Sequence, residues 1–309
     1  MINFRYHVVS LTAVFLALAV GMVLGTAALN GPVTEDLYNE AQSLRKSNGQ
    51  LRDQIGSMED ELAGREQYIK EAAPLLLDQK LTETPILLVT SPDADPGAVK
   101  AVVQNLELAD ATITGTVHLT NRFLDPINRE DARDLATRLL PPKVDSVPSD
   151  ADGATASAAL LAACLLERKP EVSGADRTSV LAGYEAAQLV DVDEKISEPA
   201  QGVIIVTDLP ETDTDAVERN QAMFNVVKEF GKAGPAVLSA PGTGGDGNAV
   251  AAVRSDASLR KSMSTVDNVN TSLGQLSSVL ALVERIQEDE AGHYGISEAP
   301  DGRIPKPDA

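Results

Sequence analysis

The stretch "PILLVTSPDADPGAVKAVVQNL", Pro85 to Leu106, decides the fold. A short continuous apolar run, Ile86 to Val89, is bounded by proline and by a turn rich in Asp and Pro. This is the pattern of a strand buried on both faces. The turn "SPDADPG" then opens a segment whose apolar positions recur at helical spacing. The plan returns in "GVIIVTDLPETDTDAVERNQAMFNVVKEFGKAGPAVLSAPG", Gly202 to Gly242, with strands expected at Val203 to Val206 and Ala236 to Ser239. "ATITGTVHLT", residues 111 to 120, alternates and reads as a further strand. Strands that alternate with helices imply a three-layer α/β domain with a mainly parallel, Rossmann-like sheet. The loop "PPKVDSVPSDADG", residues 141 to 153, reads as an exposed linker between two similar halves, and a last helix is expected over Ser272 to Gln287.

Upstream lies a different chemistry. Val8 to Leu29 is an apolar run of 22 residues, enough as a helix to cross a hydrocarbon core of roughly 30 Å. A secretory signal core is shorter, about 7 to 15 residues. Small residues at Gly25, Thr26, Ala27 and Ala28 would suit a peptidase, but the length favours an uncleaved anchor. Arg5 precedes the run and Glu35, Asp36 and Glu40 follow it. The positive side stays cytoplasmic, so the expected topology is a single pass through the cytoplasmic membrane, amino terminus inside and the bulk of the chain outside.

Between anchor and α/β domain, apolar residues fall in a heptad frame. Leu37, Leu44, Leu51 and Met58 take d positions, with Arg65 next, and Ala41, Asn48, Ile55, Leu62 and Ile69 take a positions. Such a run predicts a coiled-coil helix. Gly49, Gly56 and Gly64 each weaken a helix by about 1 kcal/mol, but all fall at outer b or c positions. Asn48 would pair with itself across a parallel homodimer seam and fix its register. Glu40 faces Arg45 of the second copy in this frame, whereas Glu61 and Glu66 would repel. Gly21 and Gly25 form a G-x-x-x-G face that lets two membrane helices approach closely. Both elements would join the same two chains; the alternative is a helical hairpin folded on the globular part. Pro74 is expected to close the helix. The layout is then an anchor over 1–30, a dimerisation helix over 31–82, an α/β domain over 83–290 and a flexible tail over 291–309.

Composition excludes several functions. The net charge is −20, which repels nucleic acid and anionic lipid headgroups. Cys164 is the only cysteine and sits in an apolar run, so no intramolecular disulfide forms and the thiol is expected to be inert. Carboxylates gather after the strands, Asp93 and Asp95 in one half and Asp208, Glu211, Asp213 and Asp215 in the other. They could hold a divalent cation. Helix capping is the favoured reading, for Asp95 and Asp213 above all. "PGTGGDGN" matches G-x-G-x-x-G at Gly242, Gly244 and Gly247, but the following "AVAAVRSD" is short and strand-like and Asp246 would repel a pyrophosphate. No nucleophile elbow exists, and His7, His118 and His293 are scattered. Met1, Met22, Met58, Met223 and Met263 are not grouped as copper(I) would require. Neither a cofactor nor catalysis is expected.

"MINFRYHVVSLTAVFLALAVGMVLG" at the amino terminus, "TVDNVNTSLGQLSSVLALVERIQ" at 265 to 287 and "GHYG" at 292 to 295 carry a family resemblance. The chain resembles the actinobacterial copper transporter family, the copper transport outer membrane proteins called MctB, and is similar to the SteB proteins of corynebacteria. The first resemblance implies copper tolerance and an envelope channel. The second implies a cell-envelope partner of a SteA-like membrane protein in septal cell-wall control. No catalytic or metal-binding residue carries over from either. A β-barrel channel needs many alternating strands and aromatic girdles, and Trp is absent. The reading that fits best is a membrane-anchored, dimeric adaptor of the cell envelope, with copper transport as the alternative.

Overall fold

A computed structural model describes residues 4–29, 32–148, 151–193, 195–297 and 300–305. The chain divides into two compact units, residues 1–65 and 66–309. The first holds α1 (Phe4–Leu29) and most of α2 (Pro32–Leu77). Phe4–Ala27 is long and apolar enough to span a membrane. Along α2, Leu37, Leu44, Leu51, Ile55, Met58 and Leu62 are all exposed. The helix does not stop at Pro74 as its sequence suggests. Proline removes one N–H, but its carbonyl still accepts from Asp78 N at 3.1 Å, and Ala73 and Leu77 are buried. Packing outweighs the missing bond and carries the helix one turn further.

The second unit is a seven-stranded sheet between two helical layers. Its strands are β1 (Pro85–Thr90), β2 (Thr112–Leu119), β3 (Val190–Val192), β4 (Gly202–Val206), β5 (Ala236–Ser239), β6 (Ser264–Val266) and β7 (His293–Tyr294), in the order β3-β2-β1-β4-β5-β6-β7. Every pairing is parallel except β2 with edge strand β3. The sheet is therefore the mainly parallel, doubly wound type that the strand–helix alternation implies.

Alternation of side chains divides the core in two. Ile86, Leu88, Ile204, Val206 and Val237 face one side, under α3 (Pro96–Leu108), α11 (Ser272–Gln287) and the last turns of α2. Leu87, Val89, Val203, Ile205 and Leu238 face the other. There the cover includes α5 (Arg129–Arg138), α6 (Gly153–Leu165), α7 (Gly174–Ala186) and α8 (Ala216–Ala233). Strands buried on both faces explain the uninterrupted apolar runs in β1 and β4. Three short helices, α4 (Asn121–Leu124), α9 (Ala249–Ser255) and α10 (Leu259–Ser262), lie in the connections.

Two further expectations change. The segment 141–148 is not merely an exposed linker, because Val144 is buried in the core beneath it; residues 149 and 150 lie outside the described residues. The segment read as a patternless tail begins with β7, and Arg303 Nη1 donates to the Gly295 carbonyl at 3.0 Å while Asp301 N donates to that of His293 at 2.7 Å. Its strand is polar, so no apolar alternation announced it. Residues 298, 299 and 306–309 of that segment lie outside the described residues.

Gly274 lets α11 start against the loop before it, since a Cβ there would sit 1.9 Å from the Asn268 carbonyl oxygen. Gly274→Ala is therefore expected to lower stability by about 1–3 kcal/mol, whereas Gly244→Ala, with open space around it, should change it by less than about 0.5 kcal/mol. Denaturant unfolding of the detergent-solubilised chain measures both.

Candidate functional site

A doubly wound sheet offers a crevice where neighbouring strands send their connections to opposite sides. Here that point lies between β1 and β4, at their carboxyl ends. The crevice is a notch of only about 40 Å³ lined by Ser91, Asp93, Asp208, Glu211, Arg219 and Asn220, among others. The chain itself fills the rest. Arg219 forms ion pairs with Glu211 and Asp213. The Asn220 amide accepts from Glu211 N at 2.9 Å and donates to the Glu211 carbonyl at 2.9 Å and that of Asp246 at 3.4 Å. Asp208 accepts from its neighbour Leu209 N at 2.7 Å.

The carboxylates singled out in the sequence thus take separate structural roles. Asp95 caps α3, accepting from Gly97 N and Ala98 N at 3.2 and 3.0 Å, as its position implies. Asp213 does not cap α8. That position falls to Asp215, whose φ is +67° and whose side chain makes no capping bond. Asp213 is drawn instead to the guanidinium of Arg219. Among the described residues, no three His, Cys, Asp or Glu side chains group as metal ligands.

The glycine-rich loop also departs from expectation. A helix, α9, follows it where a short strand was expected, because Asn248 caps that helix with 3.1 Å to Ala251 N. The same amide donates back to the Gly242 and Gly244 carbonyls at 3.2 and 3.1 Å. These bonds close the loop on itself.

Beside the notch, on the β2 side of β1, lies a larger cleft of about 780 Å³ lined by Thr90, Lys100, Thr116, His118, Asp191 and Asp193, among others. His118 bridges it: Nδ1 is 2.8 Å from Thr90 Oγ1 and Nε2 is 2.9 Å from Asp193 Oδ2. Thr90 and His118 are register partners on β1 and β2. Sequence distance hid this group, whose members lie 28 and 75 residues apart. A hydroxyl, an imidazole and a carboxylate in line can relay a proton. Thr90 is only 2% exposed, so the hydroxyl is not presented to a substrate as a nucleophile must be.

The same cross-strand pair recurs between β6 and β7, where Thr265 Oγ1 lies 2.9 Å from His293 Nδ1. Here the far nitrogen donates to the Arg260 carbonyl at 3.0 Å, and Arg254 ties Thr265, Asp267 and the Tyr294 carbonyl together. Burial pushes the His293 pKa down, the Arg260 carbonyl opposing. The pair is a structural staple holding an edge strand whose sequence is polar. Cys164 is likewise structural: it is buried, and burial pushes its thiol up to about 12, against the pull of Arg177. Arg177, itself buried, donates to the carbonyls of Cys164, Ser197 and Val172.

The residues read as a dimer seam lie on α1 and α2. Around Gly21 and Gly25 nothing stands within 4 Å of a would-be Cβ. Leu37, Leu44, Asn48, Leu51, Ile55, Met58 and Leu62 are exposed. Ile69 differs, being partly buried against the apolar layer beneath α11. Glu66, expected to repel its counterpart, caps α11 by accepting from Ser272 N at 2.7 Å, and Glu61 pairs with Arg65 at 2.6 Å.

An apolar amino-terminal helix, a long helix with an exposed apolar face and a doubly wound α/β domain define a membrane-associated class of protein. The family model "Copper transport outer membrane protein, MctB" matches residues 1–305, and the chain belongs to that family. Curated relatives named "Copper transporter MctB" include those of Mycobacterium tuberculosis and Mycobacterium bovis, each 27% identical over 303 residues, and that of Mycobacterium leprae, 28% identical over 306. In each case 96% of this chain and 96% of the relative are covered.

Two measurements check these assignments. A folded-state pKa below the unfolded one favours the neutral imidazole, so the unfolded chain binds the proton first as pH falls. Stability should decline as pH drops from about 6.5 through the lowered His293 value, and His293→Asn should flatten that decline while lowering stability at neutral pH. Thermal melts between neutral and mildly acidic pH report it. Cys164 should resist maleimide in the native chain and react only at the rate of unfolding.

Proposed function

We propose that the protein is a membrane-tethered parallel homodimer that serves the copper-related envelope function its relatives are named for, as an interaction protein rather than as an enzyme or as the conduit itself. One observation carries this reading: the apolar a and d residues of α2, from Leu37 to Leu62, are exposed in the single chain. A second copy of the same helix, placed in register by Asn48, covers that face with knobs-into-holes packing. Gly21 and Gly25 bring the two membrane helices together below it. The tether lies with its amino terminus in the cytoplasm and the α/β domain in the envelope space, following the charge of its flanks.

The form of the head supports the adaptor role over the conduit. Its seven strands make an open sheet with helices on both faces, which encloses no lumen. Its thiol is buried and protonated, whereas copper(I) is held by accessible soft ligands. Copper is then the cargo of an assembly in which this chain organises a membrane partner. The SteB resemblance favours a SteA-like membrane protein as that partner, with cell-wall and septum control as the setting.

The buried native thiol makes an engineered cysteine the single reactive one. Leu51→Cys is expected to form an interchain disulfide in native membranes, while Asp53→Cys, on the outer face of the same turn, is not; equal reaction at both, or at neither, contradicts the seam. In a strain lacking the protein, the wild-type chain should restore copper tolerance, and Leu51→Glu/Ile55→Glu should not, although it accumulates in the membrane. Restoration by that double variant would separate dimerisation from function.

A further inference from the structure

Strand register places a polar row on one face of the sheet. Thr90, His118 and Asp191 are partners across β1, β2 and β3, so their side chains project from the same face. Thr116, two residues before His118, joins them there, and His118 Nε2 reaches Asp193 at 2.9 Å. On this same face Ile86 and Leu88 pack beneath α3. Toward β3 that apolar cover gives way to the cleft of about 780 Å³. Its α3 wall is a helical stripe of Pro96, Val99, Lys100 and Val103, with both valines half-buried.

The charged and titratable groups that line the cleft, among the described residues, are Lys100, His118, Asp191 and Asp193. His118 is committed at both ring nitrogens, to Thr90 and to Asp193. Lys100 and Asp191 are exposed, and neither is in an ion pair among the described residues. The cleft therefore offers an unused cation on α3 and an unused carboxylate on the sheet edge, with the carboxylate of Asp193 beside it. A polyphosphate does not fit that balance, since one cation stands against two carboxylates. A metal ion does not fit either, since no three ligand side chains group there among the described residues. The volume lies within the range of roughly 300–1,000 Å³ that holds small organic ligands.

We propose that this cleft binds a short peptide with both ends free. The peptide carboxylate meets Lys100, and its ammonium meets Asp191 with Asp193 adding to the pull. Between the two ends stand the Thr116 hydroxyl and the Asn121 side-chain amide, which line the cleft and make no hydrogen bond among the described residues. They serve the amides of the ligand, while Val99 and Val103 favour small apolar side chains. Thr90 and His118 form the floor and hold Asp193 in place. The site lies on the head and does not depend on whether the chain pairs through α2.

Isothermal titration of the full chain in nanodiscs of zwitterionic lipid tests it, with trialanine, N-acetyl-trialanine and trialanine amide as the probes. Trialanine is expected to bind, and each blocked form to bind weaker by about fivefold or more. Lys100→Met should lower trialanine to the level of its amide while the penalty for acetylation persists. Asp191→Asn should shrink the penalty for acetylation while that for amidation persists. Lys261→Met, on α10 and outside the cleft, should change neither. All three positions are exposed, and unchanged thermal melts confirm that each variant folds. Absence of trialanine binding at millimolar concentration, equal binding of the blocked forms, or the same loss in Lys261→Met as in Lys100→Met overturns the site.

Discussion

Six large apolar side chains along one side of α2 face water in the single chain, and this constraint shapes the functional account. The helix has three glycines, each costing about 1 kcal/mol relative to alanine, and much of its surface is charged. Covering an exposed leucine or isoleucine fully contributes about 1.5–3 kcal/mol. In the proposed dimer a second helix would supply that cover from Leu37 to Leu62, while salt bridges such as Glu61–Arg65, exposed on both sides, add little. The heptad run ends where the globular unit begins to use the helix: Glu66 caps α11, and Ile69, Ala73 and Leu77 join its core. One helix thus changes its partner along its length, from the face proposed for a second copy to the α/β sheet.

The α/β unit is built by two kinds of burial. In the centre, β1 and β4 are apolar on both faces and are completely covered, which makes them insensitive to their surroundings. At the β6–β7 side the sheet is closed by polar groups instead, with Asp267 and Thr265 wholly buried and satisfied by Arg254, His293 and backbone N–H groups. Such a network holds only when every member is paired. At the opposite side, His118 makes the same bond to a threonine but turns its other nitrogen to an exposed aspartate. One cross-strand device therefore closes the sheet with a locked histidine on one flank and lines an open cleft on the other.

These differences mark what the sequence could and could not convey. The strands at 86–89, 203–206 and 236–239 and the helix at 272–287 were legible because apolar period and turn residues agree there. β3, β6 and β7 were not, being two or three residues long, with β6 and β7 held by side chains far apart in sequence. Pro74 misled because tertiary packing outweighed a local breaker. Asp95 was legible as a cap from its place before Pro96 and Gly97, whereas Asp213 was not, since the draw of Arg219 six residues on is a matter of three-dimensional geometry. The heptad pattern of α2 is plain in the sequence, and the structure shows its large apolar residues from Leu37 to Leu62 exposed and Ile69 partly buried.

In the proposed reading, copper tolerance comes through the partner that a tethered, paired chain engages. That account stands on α2 being shared by two chains. Native mass spectrometry of the intact protein released from lipid nanodiscs tests it most directly. The account predicts a species of twice the mass of the 309-residue chain that reverts to single chains when Leu51 and Ile55 are replaced by glutamate. A wild-type protein that stays at the mass of one chain at every concentration contradicts it.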